Sequence, residues 1–277
     1  MFQNTYLLGT GAVVVAVIAS ATFPSLSAEK LLKSVQQHAS NIDDPFQWPS
    51  SSVGKITVTW HTNLLVECSG TLIGPKLVLT AAHCLHLNSD LAKPTMVHFV
   101  LGMNRGQVSA HSVAASFELA PDHSMEEPLS SDYAKTDWAL VTLHDRIEAK
   151  PIPIVALSQE QFAKIASDKT AFEIGYGKER RFLPSVAKNC QITTESDDGI
   201  FGHDCLFNFG YSGAPILVDI GGGPSIIGVS SLNQSLDGVA TAGVACSANQ
   251  FASEVEKMST AAAAPIPGVA KPAPEKH

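Results

Sequence analysis

From Val53 onward the apolar positions fall in short runs broken by Gly, Pro and polar residues. Ile56 to Trp60 alternates apolar and polar side chains, the two-residue period of a half-buried strand. Further β-rich runs follow at Leu64–Cys68, Thr71–Ile73, Leu77–Thr80, Met96–Leu101, Val108–Val113, Trp138–Leu143, Thr170–Ile174, Lys188–Thr193, Pro215–Val218, Ile226–Ser231 and Ala240–Cys246. Many short strands at close spacing, with turn residues between them, predict a sandwich or barrel. Helical patterns are few in this body: one at Ser158–Ala166 and one at Ala248–Met258. No repeat of fixed period is visible.

The two ends have a different texture. Leu7 to Ser20 is almost wholly apolar, and small residues follow at Ala19 to Ala21 and again at Ser25 to Ala28. The run falls short of the ~20 residues a spanning helix needs. It therefore reads as a cleaved export signal, residues 1–28, which makes the mature chain secreted or periplasmic, with no membrane partner. Glu29 to His38 is a candidate short helix, and residues 29–52 form an N-terminal arm or propeptide, rich in Asp, Pro and Ser from Asn41 to Ser52. Residues 53–258 form the body. From Ser259 the chain is rich in Ala, Pro and Lys without a repeating apolar face, so 259–277 is expected to be a disordered tail.

Composition narrows the possible partners. The chain has 277 residues, of which 16% are charged, with a formal net charge of -8. Such a chain cannot neutralise many phosphates, so nucleic acid is not an expected partner. The five cysteines, Cys68, Cys84, Cys190, Cys205 and Cys246, can pair in an oxidising compartment, and the odd count leaves at least one over. Sequence alone leaves the connectivity open. No Cys-x-x-Cys pair is present, which argues against a zinc ribbon or a thioredoxin-like motif.

Three local patterns carry chemistry. In the first, Cys68-Ser69-Gly70-Thr71-Leu72-Ile73 and Leu77 to Cys84 are two β-rich segments joined by a Gly74-Pro75 turn, and the second ends in Ala81-Ala82-His83-Cys84. A general base must sit at the edge of a rigid element in one orientation. A Cys68–Cys84 bridge would clamp that turn. In the second, Asp137 stands directly before the apolar strand Trp138 to Leu143. A carboxylate entering a core costs several kcal/mol unless hydrogen-bonded, and an imidazole N–H would satisfy it while fixing the tautomer of a base. Asp132 is a nearby competitor in what reads as a polar loop. In the third, Gly210-Tyr211-Ser212-Gly213-Ala214-Pro215 places a serine between glycines. That turn would expose the hydroxyl and let the amides of Gly210 and Ser212 form an oxyanion hole. Ala214 breaks the Gly-x-Ser-x-Gly elbow of α/β-hydrolases, and no parallel βαβ pattern surrounds it.

Taken together, the runs at Cys68 to Ile73, Leu79 to Cys84, Asp137 to Leu140 and Gly210 to Pro215 resemble the chymotrypsin/trypsin-like serine peptidase family, in the order His, Asp, Ser. The similarity spans about Val53 to Met258. The resemblance implies an all-β fold of two packed six-stranded antiparallel β-barrels with a C-terminal helix and the site in the cleft between the barrels. It implies His83 as base, Asp137 as its orienting carboxylate and Ser212 as nucleophile, with no metal and no cofactor. It further implies a Cys190–Cys205 bridge, Ser230 and Ser231 in the strand lining the substrate cleft, Gly243 in the far wall of the specificity pocket, and Cys246 as a buried free thiol. Leu206 and Phe207 fall at the pocket base. Neither is acidic, so Lys or Arg specificity is not expected, and Gly243 would leave the pocket partly open.

The departures are as informative. Relatives of the trypsin type carry Asp before the nucleophile, and it pairs with a new amino terminus after zymogen cleavage. Here that place holds Tyr211, and no Arg-Ile-Val-Gly-Gly sequence precedes the first strand. The expected function is a monomeric secreted serine endopeptidase acting on protein or peptide substrates. The alternative is a catalytically impaired binding protein on the same fold. A metalloenzyme is disfavoured: His83 and His86 stand three apart, but no His-Glu-x-x-His motif occurs.

Overall fold

The computed structural model describes residues 41–42, 44–61, 64–86, 93–124, 130–205, 208–236 and 239–263. The expected signal, the helix at Glu29–His38, Leu206, Phe207 and the tail beyond Ala263 lie outside them.

The first half of the body closes on itself. Strands β2 (Val53–Thr59), β3 (Leu65–Gly74), β4 (Leu77–Thr80), β5 (Met96–Leu101), β6 (Ala110–Leu119) and β7 (Ala139–Leu143) form a closed antiparallel barrel in the order β2-β3-β4-β7-β6-β5. Alternating residues Ile56 and Val58, with Leu72, Val78, Phe99, Leu101 and Leu140, fill its interior and are fully or almost fully buried. The runs at Leu64–Cys68 and Thr71–Ile73 are one strand, because Ser69 and Gly70 continue the extended chain between them.

The second half forms β8 (Ala171–Gly175), β9 (Ser185–Cys190), β10 (Ile200–His203), β11 (Pro215–Asp219), β12 (Pro224–Leu236) and β13 (Val239–Ser247). These six pair antiparallel in the order β9-β8-β11-β12-β13-β10, and the two-residue β1 (Asn41–Ile42) adds to the outer side of β9. Just past β9 the chain turns back onto β10. Ile192 bridges His203, and the Thr193 amide donates to the Gly202 carbonyl at 2.9 Å. Cys190 and Cys205 form a disulfide at the same place. Strand β10 had no clear sequence signal, because Ile-Phe-Gly-His is short and contains a glycine.

Three helices accompany the sheets among the described residues. Helix α1 (Ser131–Lys135) is a single turn capped by the Ser130 side chain. Asp132 therefore sits on a helix rather than in a loop. Helix α2 (Gln159–Asp168) begins with a reciprocal Ser158–Gln161 capping box and buries Phe162 and Ile165. Helix α3 (Ala252–Ala263) follows a short 3-10 turn at Ala248–Gln250 and runs on past Met258. None of the described helices is long and apolar enough to cross a membrane.

The barrels share a seam. The connection after β7 touches both: the Ile152 amide donates to the Leu72 carbonyl at 3.0 Å, and the Val155 amide to the Ile226 carbonyl at 2.9 Å. One apolar cluster runs from the first barrel across this seam through Ile152, Leu217 and Ile226 to Phe251 and Val255. A second fills the other barrel around Phe162, Phe201, Ile216 and Ile227. The arm before β2 is held here too, with Lys150 Nζ 3.5 Å from the centre of the Trp48 ring.

The disulfide that joins the ends of β9 and β10 yields a test. The Cys190–Cys205 link closes a loop of sequence separation 15. Replacing both residues by Ala is expected to destabilise the fold by about 3 kcal/mol, from the restored freedom of the unfolded chain. Urea unfolding checks this; an unchanged midpoint would show that the bridge does not support the sheet.

Candidate active site

Asp137 is tightly held in the seam. It leaves the end of α1, its amide donating to the Ala134 carbonyl at 3.3 Å, and enters β7 with 0% exposure. A bare carboxylate there would be costly. Three donors satisfy it. The His83 backbone N–H donates to Oδ1 at 2.8 Å, the His83 Nδ1–H donates to Oδ2 at 2.7 Å, and the Ser231 hydroxyl donates to Oδ2 at 2.5 Å. Two donors come from the first barrel and one from the second. Ser231 reaches it because the pairing of β12 with β13 slips between Ser230 and Leu232. Such a bulge re-aims one side chain.

The electrostatics follow. Burial pushes the Asp137 pKa up, but the His83 charge and the hydrogen bonds from His83 and Ser231 outweigh it, and the carboxyl is held below its ordinary 3.8. Burial pushes His83 down, but the adjacent Asp137 carboxylate wins and holds the imidazole above its ordinary 6.5. The imidazole stands in the 3-10 turn Ala82–Cys84, with its side chain 21% exposed. The Cys68–Cys84 disulfide fixes that turn to β3. With Nδ1 engaged, Nε2 is the nitrogen left to take a proton.

The serine turn docks on the same corner. The Ser69 amide donates to the Ser212 carbonyl at 2.8 Å. The buried Ser69 hydroxyl donates to the Gly210 carbonyl and accepts from the Tyr176 amide, both at 2.9 Å. Gly213, at φ 81°, presses against the end of β4: a β carbon there would lie 2.3 Å from the Ser69 carbonyl oxygen and from Thr80 Oγ1. Only glycine fits both the turn and the contact. Ser212 thus emerges, half-buried, against the strand that ends just before His83. The Phe209 carbonyl accepts from the Lys178 amide at 2.7 Å. Carbonyl and N–H point oppositely in a trans peptide, so the Gly210 N–H is turned away from Lys178.

Other expected residues land differently. Asp132, the competitor of Asp137, is exposed and pairs with Lys135. Ser230 has its amide and carbonyl engaged by Ala214 and Gly213, and its hydroxyl donates to Glu173 Oε1 at 2.6 Å. It faces the interior of the second barrel, where His203 Nε2 lies 3.4 Å from its oxygen. This histidine–serine pair has Glu173, not Asp137, as its acid, and burial drives the His203 pKa down to about 3. Sealed in the barrel, it braces the strand behind the serine turn. A β carbon on Gly243 would lie 2.3 Å from the His203 ring, so that glycine does not open the pocket on that side. Leu206 and Phe207, expected at the pocket base, are outside the described residues. Cys246 is a buried free thiol, as expected, and donates to the Lys135 carbonyl at 3.2 Å.

Among the described residues, two groups bring potential metal ligands together: Cys68, His83 and Cys84, and Glu173, His203 and Cys205. In both, the sulfurs are committed to disulfides and cannot serve as thiolates. The residues that sequence reasoning missed are Ser69 and Thr80, and the bond from Ser231 to Asp137. Each is a common residue type whose role depends on tertiary contact.

Ser231→Ala removes one of the bonds that lower the Asp137 pKa, so that pKa should rise. The loss is expected to cost about 1.5–3 kcal/mol at neutral pH. A depressed carboxyl pKa stabilises the fold above the unfolded value of 3.8, and the effect is lost as pH falls through the folded value. The difference between wild type and variant should therefore vanish in acid. Denaturation curves at neutral and acid pH check this; equal stability at neutral pH would exclude the bond as a support.

Known proteins resemble this chain in sequence and in fold. A family model described as trypsin-like peptidase domain matches residues 68–224. Over 122 residues the chain is 28% identical to chymotrypsin-C of Bos taurus, covering 43% of this chain and 41% of that one. The chain thus spans less than half the length of that relative. Among solved structures, a Glu endopeptidase in complex with MPD superposes with a TM-score of 0.57 at 20% identity, covering 78% of this chain and 93% of that one. HL collagenase gives 0.56 at 20% identity, over 76% and 94% of the two chains. The protease Anisep from Arthrobacter nicotinovorans gives 0.52 at 15% identity, over 71% and 90%. At such identities these structures share a fold with this chain. The family match runs from the first cysteine of the histidine corner to beyond the serine turn, over more than half of the sequence, and the chain belongs to the trypsin-like peptidase family.

Proposed function

We propose that this chain is an exported serine endopeptidase that hydrolyses peptide bonds through an acyl-enzyme. Ser212 attacks the substrate carbonyl, and its proton passes to His83 Nε2. Asp137 stabilises the imidazolium that results. The amides of Gly210 and Ser212 receive the oxyanion, and collapse of the tetrahedral intermediate expels the amine, which takes the proton from His83. Water then attacks the ester with His83 again as base, releasing the acid and restoring Ser212. The observation that carries this reading is the convergence of the Asp137–His83 pair and the Ser212 turn on one corner of the seam.

The two disulfides fit an oxidising compartment, and residues 1–28 supply the signal that would take the chain there. Neutral Leu206 and Phe207 at the pocket base favour small or apolar side chains over Lys or Arg at the cleavage point. Residues 29–52 act as an arm or propeptide.

The wild-type chain is expected to hydrolyse unfolded casein, and Ser212→Ala to lose activity by about 10⁴-fold or more. A Ser212→Ala variant of unchanged activity would refute the assignment. The pH dependence tests the base. Because Asp137 raises the His83 pKa, kcat/KM should fall toward acid with a midpoint above 6.5. Asp137→Asn should move that midpoint downward and reduce the plateau. A pH-independent rate across this range would exclude an imidazole base.

A further inference from the structure

The serine turn is also held by a side chain. Tyr211, immediately before Ser212, is 2% exposed. Its ring lies across the backbone of Gly175 and Gly177. A β carbon on Gly175 would sit 2.8 Å from ring Cδ1, and one on Gly177 would sit 2.3 Å from Cζ. Gly177 has φ −79°, open to any residue, so it is the ring that requires glycine there. Beyond the two glycines the phenol donates to Glu179 Oε1.

Glu179 stands on the short 3-10 helix Lys178–Arg180, and that segment is fixed to the first barrel. Arg181 Nε donates to Glu67 Oε2 at 2.7 Å, and the Arg105 amide donates to the Phe182 carbonyl at 3.2 Å. Tyr211 thus ties the serine turn to an anchored loop.

The main chain around Tyr211 turns this tie into an orientation. The Tyr211 carbonyl accepts from the Ala214 amide at 2.8 Å, and the Tyr211 amide donates to the Asn208 carbonyl at 3.2 Å. The first bond sets the plane of the Tyr211–Ser212 peptide, so the Ser212 N–H points away from Ala214. The Lys178 bond to the Phe209 carbonyl sets the Gly210 N–H in the same way. Both amides depend on the position of Tyr211 and of the loop it grips.

We infer that Tyr211 is a positioning residue for acyl transfer: its ring, seated on Gly177 and bonded to Glu179, fixes the peptide planes that present the Gly210 and Ser212 amides to the oxyanion. This rests on Ser212 being the nucleophile. It gives Tyr211 the anchoring task that an aspartate and a new amino terminus perform in trypsin-type relatives, through different atoms.

The test compares the full chain with Tyr211→Phe, Glu179→Met and Gly177→Ala. Tyr211→Phe removes the donor and Glu179→Met the acceptor, each with little change in volume. Gly177→Ala keeps both polar groups but drives a methyl into the ring. Active enzyme is counted by burst titration with a phosphonate, so unfolded protein does not enter kcat. Each variant is expected to lose about tenfold or more in kcat, with KM within about threefold of wild type. Affinity for a peptide aldehyde, whose adduct places an oxyanion in the hole, should fall in parallel. The acid limb of the pH profile should not move. Variants with kcat and aldehyde affinity within about twofold of wild type would overturn the inference, as would losses confined to KM or to the titratable fraction. A wild-type chain that neither titrates nor hydrolyses peptides would instead overturn the serine peptidase reading, and this inference with it.

Discussion

The buried carboxylate of Asp137 is the constraint on which the site depends. It stands in the seam between two barrels with no exposure, and its cost is offset only because three donors converge on it. His83 can supply two of them only from the turn that the Cys68–Cys84 bridge holds in place. Ser231 can supply the third only if the second barrel is docked and its edge is bulged at that point. The same bonds that satisfy the carboxylate fix the imidazole in one tautomer and one orientation. Folding of the seam and orientation of the His83 imidazole are therefore one event.

The serine turn is attached by a separate set of bonds. Ser69, next to the bridged Cys68, gives its amide to Ser212 and its hydroxyl to Gly210, and takes the Tyr176 amide. One buried side chain thereby connects β3 of the first barrel to two segments of the second. The polar network of Glu173, His203 and Ser230 lies behind the turn, inside the second barrel. Its members are too buried to meet a substrate, and Ser230 spends its backbone groups on Gly213 and Ala214. The first barrel contributes Asp137 and His83, the second contributes the turn of the proposed nucleophile Ser212, and apolar burial across the seam keeps them in register.

The architecture was legible in the sequence wherever physical necessity left a local pattern. Short apolar runs gave most strands, and the helical pattern at Ser158–Ala166 located α2. The histidine corner was readable because small residues, His and Cys stand together after an apolar strand. Asp137 was readable because a charge directly before a buried strand demands a partner. The rest was hidden for a common reason. The role of Ser231 comes from a slip in strand pairing, which leaves no local mark. Ser69, Thr80 and Glu179 are ordinary residues until distant segments meet them. The glycine at 243 resembled an opening in a pocket wall, yet it makes room for His203, which is distant in sequence and adjacent only across β10 and β13.

Among the described residues two histidine–acid–serine neighbourhoods occur, and the proposed chemistry requires that one of them be competent and the other not. His83 has its Nδ1 engaged by Asp137 and its ring partly open to solvent, whereas His203 is sealed beside Glu173 and Ser230. Peptide mapping by mass spectrometry of the chain after reaction with an organophosphonate distinguishes them directly. A single adduct on Ser212 is expected; an adduct on Ser230, or on any serine outside the Gly210 to Gly213 turn, would contradict the assignment of Ser212 as nucleophile.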